Sequence, residues 1–141
     1  MPRTGILLSL SREHHSALVL ARAASRTAES GDVMAQAEMI GRIETYWITI
    51  MAEHFEPEER LIAQIGRDLD AQSVMQVLSE HAELRLLVNP EYQMDPPGRL
   101  RRFGEVLYAH VRFEERHFFP QLQVHPGLAF NLYADPTHSG N

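Results

Sequence analysis

At 141 residues with no cysteine, the chain has the length of a single domain able to bury a sizeable core. It has no disulfide or thiolate chemistry available, so any bound metal must use histidine and carboxylate ligands. The net charge of −6 argues against a nucleic-acid or anionic-membrane surface. No apolar run approaches the roughly 18 residues of a membrane span, and Ile6-Leu7-Leu8 is too short for a signal-peptide core. The expectation is a soluble cytoplasmic protein, a monomer or homodimer, with neither nucleic acid nor membrane as partner.

Taken in order, the chain predicts four helices and no strands. Ser9 or Ser11 caps the first, which runs to about Ser30 and stops at Gly31. Its apolar stripe is Leu7, Leu10, His14, Ala17, Leu18, Ala21 and Ala24, with Arg22 and Arg26 outside. Asp32 caps a long second helix ending near Gly66. Pro57 lies inside it and predicts either a kink or a break near Glu56, because proline cannot donate to the carbonyl four residues back. Asp70 caps the third helix, whose face carries Val74, Val77, Leu78, His81, Leu84 and Val88, and Asn89-Pro90 ends it. Glu91 to Asp95 is a loop. Asp95 followed by Pro96 and Pro97 starts the fourth helix, which runs to about Pro120. Short connections make the helices antiparallel neighbours, so the fold class is all-α. The expected architecture is an up-down-up-down four-helix bundle over about residues 9–122, with an irregular tail at 123–141.

Two stretches carry the chemistry: His54-Phe55-Glu56-Pro57-Glu58 and His110-Val111-Arg112-Phe113-Glu114. Each sets a histidine four residues before a glutamate, which stacks both side chains on one helix face about 6 Å apart along the axis. Phe103 and Leu107 precede His110 on its face and Phe118 follows; Trp47, Ile50 and Met51 precede His54, and Leu61 and Ile65 follow. An ionised carboxylate on an apolar stripe is costly unless it is paired or bound to a metal. The first and third helices add His14 and His81 to their own core faces. Taken singly, a helical histidine on an apolar face is an ordinary core residue, and a His/Glu pair four residues apart is a modest surface pair. One such residue on every helix, at similar depth, instead points to a metal site. Four imidazoles and two carboxylates suit iron, manganese or zinc, and bridging carboxylates suit two ions.

This order of His, His-x-x-x-Glu, His, His-x-x-x-Glu resembles the hemerythrin-like, or HHE cation-binding, family over about residues 9 to 120. The matching residues are His14 in Glu-His-His-Ser-Ala-Leu, His54 with Glu58, His81 in Glu-His-Ala-Glu-Leu-Arg, and His110 with Glu114. The resemblance implies a non-haem di-iron centre: His14 and His54 on one iron, His81 and His110 on the other. Glu58 and Glu114 would then bridge, with an oxo or hydroxo group between the ions. It implies binding of O₂, peroxide or nitric oxide in sensing, storage or detoxification. Enzymatic turnover of peroxide or nitric oxide, iron donation for cluster repair, and a structural zinc bundle that binds a partner are the alternatives. The oxygen carriers of that family have a second histidine one turn from the first on the third helix, where this chain has Val77 and Arg85 around His81. They also end on Asp at five residues rather than Glu at four, so reversible O₂ carriage is not the expectation.

Periodicity favours His14 over His15, which shares a face with Arg22 and Arg26. His117 reads as outside the ligand set. Glu56, Glu59 and Glu115 read as solvated carboxylates, Tyr46 and Tyr108 as core-edge packing, and His125 and His138 as incidental.

Overall fold

The computed structural model describes residue 3 and residues 5–128. These residues form helices and turns, and no strand occurs among them. No helix among them is long and apolar enough to cross a membrane. The helices are α1 (Gly5–Glu29), α2 (Val33–Tyr46), α3 (Ala52–Ile65), α4 (Ala71–Leu87), α5 (Pro96–Phe113) and the short α6 (Phe119–Gln123). A π-helical turn at Trp47–Met51 joins α2 to α3, and another at Glu114–Phe118 joins α5 to α6. Helical backbone is therefore unbroken from residue 33 to residue 65, and again from residue 96 to residue 123.

Local chemistry sets the helix ends. Asp32, Asp70 and Asp95 each accept a backbone N–H three residues on, from Ala35, Ser73 and Gly98. This satisfies one of the donors that a helix start leaves orphaned. Gly31 turns the chain between α1 and α2 at φ +71°, a left-handed conformation that favours glycine. The buried Arg99 ties the end of α4 to α2. Its Nη2 donates to the Asn89 carbonyl at 2.9 Å and to Glu44 Oε2 at 3.0 Å.

Several expectations need correction. α1 begins at Gly5, so Ser9 and Ser11 are interior, and Ser11 Oγ instead donates to Glu115 Oε2 at 2.7 Å. The helix continues through Pro57, so the break near Glu56 does not form. Leu78 is 40 % exposed; the buried face of α4 is Ser73, Val77, His81, Leu84 and Leu87. The last long helical stretch extends past Pro120 to Gln123. Pro120 lacks the N–H that would bond the Arg116 carbonyl, and the wider π turn before it relieves the crowding a proline causes. Of the expected tail, residues 129–141, with His138, lie outside the described residues.

Two apolar clusters flank the common depth of the histidines along the helices. One joins Ala17, Leu20, Ala21 and Ala24 of α1 to Leu100, Phe103 and Leu107 of α5, with Ile43, Phe55 and Leu84. The other gathers Leu7, Leu10, Leu61, Ile65, Val77, Phe118, Phe119 and Leu122. α1 lies closest to α5, because the small stripe of α1 meets Gly104. A Cβ there would come within 2.2 Å of Ser25 Oγ and 2.8 Å of the Ala21 carbonyl.

Candidate metal centre

Between these clusters the helices bring six polar side chains to one place. His14 comes from α1, His54 and Glu58 from α3, His81 from α4, His110 from α5, and Glu114 from the first position of the following π turn. All are buried, His54 being the most exposed at 6 %. They form two groups, His14, His54, Glu58, Glu114 and Glu58, His81, His110, Glu114, so that both carboxylates belong to both groups. Within each group the candidate ligand atoms lie within 4.8 Å of one another, and either group could hold a metal ion.

The donor atoms crowd together, and His14 Nε2 lies 2.9 Å from Glu114 Oε1. His54 Nε2 lies 2.9 Å from Glu58 Oε2, and His81 Nε2 lies 2.9 Å from Glu58 Oε1. His110 Nε2 lies 3.3 Å from Glu114 Oε1. Yet both oxygens of Glu58, Oε2 of Glu114, and Nε2 of His81 and of His110 are buried with no hydrogen-bond partner. A fully buried carboxylate left in this state is expensive. Two ligand atoms at right angles around an ion, each at about 2.0–2.2 Å, sit about 3 Å apart. The separations thus fit shared coordination, and the set of imidazoles and carboxylates fits a divalent or trivalent cation.

A second set of carboxylates surrounds the first. Each imidazole presents Nδ1 to a glutamate: His14 to Glu115 at 2.7 Å, His54 to Glu13 at 2.9 Å, His81 to Glu59 at 2.7 Å, and His110 to Glu80 at 2.8 Å. The pattern closes on itself. α1 reaches the histidine of α3, α3 that of α4, α4 that of α5, and the turn after α5 returns to α1. A carboxylate on Nδ1 favours the proton there, so Nε2 is the nitrogen that would give its lone pair to a metal. Glu59 and Glu115 are therefore not simply solvated carboxylates, as their flanking positions suggest, and Glu13 and Glu80, which open the motifs around His14 and His81, belong to the same set. One signal was present: each of the four directly neighbours an inner residue in sequence, as in Glu13-His14, Glu58-Glu59, Glu80-His81 and Glu114-Glu115. A neighbour is turned about 100° around the helix, which points it across the edge to the adjacent helix.

Electrostatics follow from this crowding. Burial pushes the His54 imidazole down, but Glu58, Glu114 and Glu13 outweigh it and lift the pKa to about 12. Burial likewise opposes protonation of His110, and Glu114, Glu80 and Glu58 lift it to about 10. His14 is raised, with burial overcome by Glu114 and Glu115. Glu114 is held well below the usual carboxylate range: burial pushes it up, and His110, His14 and His54 more than offset that. Raised imidazoles beside a lowered carboxylate make a set in which protons and a metal would compete for the same donor atoms.

A cavity of about 10 Å³ adjoins the imidazoles of His14, His54 and His110, with Ala17, Met51, Phe55, Leu107 and Val111 as apolar walls and Glu13 and Tyr46 as polar ones. That is close to the room one water-sized molecule needs. Tyr46 also lines an open groove on the outside with His15, Ser16 and Arg42. The remaining candidates lie off the site. His15 is exposed, His117 is exposed with its ring 5.4 Å from Phe113, and Glu56 pairs with Arg60 at 2.9 Å. Tyr108 is 40 % exposed beneath Arg112, and His125 bonds Asp68 at 3.0 Å. The chain matches no protein-family model, no curated protein and no solved structure.

Proposed function

We propose that the chain is a hemerythrin-like up-down-up-down four-helix bundle that carries a non-haem di-iron centre and, through it, binds a small molecule. The observation that carries this reading is the sharing of Glu58 and Glu114 by two histidine pairs, with five buried donor atoms left unpartnered. His14 and His54 would hold one ion and His81 and His110 the other, with the two carboxylates bridging. The order of these residues along the chain supports the family resemblance. Zinc or manganese could use the same donors; iron is what the family resemblance implies.

Bound iron would supply an open coordination position for O₂, peroxide or nitric oxide. The chain's own residues do the rest. The outer glutamates orient the imidazoles, the apolar walls of the adjoining cavity keep bulk water out, and its volume limits what fits. The function is sensing, storage or detoxification of such a ligand. A second reading, turnover of peroxide or nitric oxide, is favoured by Glu13 and Tyr46 on the cavity wall, where a carboxylate and a phenol can exchange protons with a bound molecule. Protein purified from iron-replete cells should show the near-ultraviolet absorption of a bridged diferric centre, and that absorption should change on adding azide. A spectrum that stays silent in iron-loaded protein contradicts the reading. Decomposition of peroxide at many equivalents per chain would favour the enzyme.

A further inference from the structure

Two of the four imidazoles are held in a way the other two are not. Arg85 grips Glu59 with both arms of its guanidinium, Nη1 to Oε2 at 2.8 Å and Nη2 to Oε1 at 2.9 Å. The same guanidinium carbon lies 5.5 Å from the centroid of Phe55 and 5.5 Å from that of Trp47. Glu59 accepts the Nδ1 proton of His81 at 2.7 Å, and the Phe55 ring stacks on His81 with centroids 3.7 Å apart and planes 7° apart. One arginine thus fixes both the group that holds the edge of His81 and the group that holds its face.

The other half of the site repeats the device. Arg3 Nη2 donates to the Glu115 carbonyl at 2.7 Å and lies 3.7 Å from Glu115 Oε1. Its guanidinium carbon is 5.9 Å from the Phe119 centroid. Glu115 bonds His14 Nδ1 at 2.7 Å, and Phe119 stacks on His14 at 5.2 Å and 13°. Glu13 and Glu80, which serve His54 and His110, have no arginine ion pair among the described residues.

We propose that Arg85 and Arg3 are positioning residues, one for each metal position, that set the ring planes of His81 and His14. The proposal rests on the metal reading above. An imidazole on a flexible side chain can swing about its Cβ–Cγ bond; a hydrogen bond at Nδ1 fixes its direction in the plane, and a stacked ring fixes the plane itself. Partners of this kind around a metal ligand typically change affinity by about 10–100-fold when removed. Arg85 has the forked, two-armed grip, so its effect is the larger. It is also 41 % exposed, and an exposed ion pair adds little to folding. Metal retention and folding stability therefore separate.

The test uses cobalt(II), whose visible absorption reports ligand geometry, loaded into the full chain and withdrawn by excess EDTA. In Arg85→Met one of two cobalt ions should leave about tenfold faster than in the unaltered protein, with a changed visible band for that ion. Arg3→Met should do the same to the other ion, by a smaller factor. Arg85→Lys should recover little, because an ammonium cannot fork onto both oxygens of Glu59. Arg60→Met, which frees only Glu56, should release both ions at the unaltered rate. The metal-free melting temperatures of all variants should agree within about 2 °C. Release from Arg85→Met at the unaltered rate, or full recovery in Arg85→Lys, overturns the positioning role while leaving the metal centre standing. An unaltered chain that binds no cobalt overturns both.

Discussion

The inner six residues and the outer four glutamates are neighbours with opposite constraints. His14, His54, Glu58, His81, His110 and Glu114 are buried, and several of their polar atoms lack partners. Glu13, Glu59, Glu80 and Glu115 reach solvent, and each has a histidine nitrogen at 2.7–2.9 Å. The inner carboxylates need a cation or protonated imidazoles beside them, whereas the outer set is satisfied either way. The inner residues would supply binding energy to a metal and the outer ones its geometry. Changing an inner residue should abolish binding, and changing an outer one should loosen it.

The largest effect belongs to the inner set. Glu114→Gln should lose at least one metal ion per chain at neutral pH, because an amide cannot bridge two cations as a carboxylate does; elemental analysis of the purified variant checks this. Retention of full metal there would place Glu114 among the ordinary buried residues. Removing metal from the unaltered chain should lower its melting temperature by about 10 °C, equivalent to about 3 kcal/mol of binding confined to the folded state. Thermal melts before and after chelation give the answer, and coincident curves would erase the energetic contrast between the two sets.

Acidity sharpens the same contrast. His54 and His110, lifted to about 12 and about 10, remain protonated at neutral pH in the metal-free chain. Because both are raised, their contribution to metal-free stability is complete below the unfolded imidazole value of about 6.5. It is lost as pH rises through about 10 and then about 12. Metal needs these rings neutral, so it must displace their protons, and apparent affinity should keep rising with pH well above 6.5. Calorimetric titrations in buffers of different ionisation enthalpy should show net proton release at pH 7.5. An affinity that levels off above about pH 7 would mean that the imidazoles are already neutral.

The outer set should respond less. Glu80→Leu removes the acceptor for His110 Nδ1 and should weaken metal binding by about tenfold without abolishing it. Smallest of all is the effect of His15. His14→Ala should lose metal, while His15→Ala, altering an exposed ring beside the outer groove, should bind as the unaltered chain does. Competition against a chelator of known affinity ranks all three, and a deficit in His15→Ala would show that the ring enters the site.

Helical periodicity made much of this legible. A 3.6-residue repeat with a cap at Asp32, Asp70 and Asp95 locates the later helix starts, and the same repeat picks out the six inner side chains from one sequence. What periodicity cannot show is which helix edge faces which. The reach of Glu13 to His54, or of Glu80 to His110, depends on tertiary neighbours, and nothing local to a glutamate distinguishes it from a solvated one. Leu78 shows the complementary limit: an apolar residue one position from the buried stripe of α4 stays 40 % exposed. The π turns were also hidden, since a single widened turn changes the phase without changing composition. That at Glu114–Phe118 matters most, because it lets Glu114 and Glu115 both reach His14 and buries both Phe118 and Phe119.

If two ions share Glu58 and Glu114 as proposed, each chain carries two metal ions. Elemental analysis of protein freshly purified from iron-replete cells tests it most directly. Two iron ions per chain are expected; one zinc per chain with no iron would contradict the shared di-iron centre.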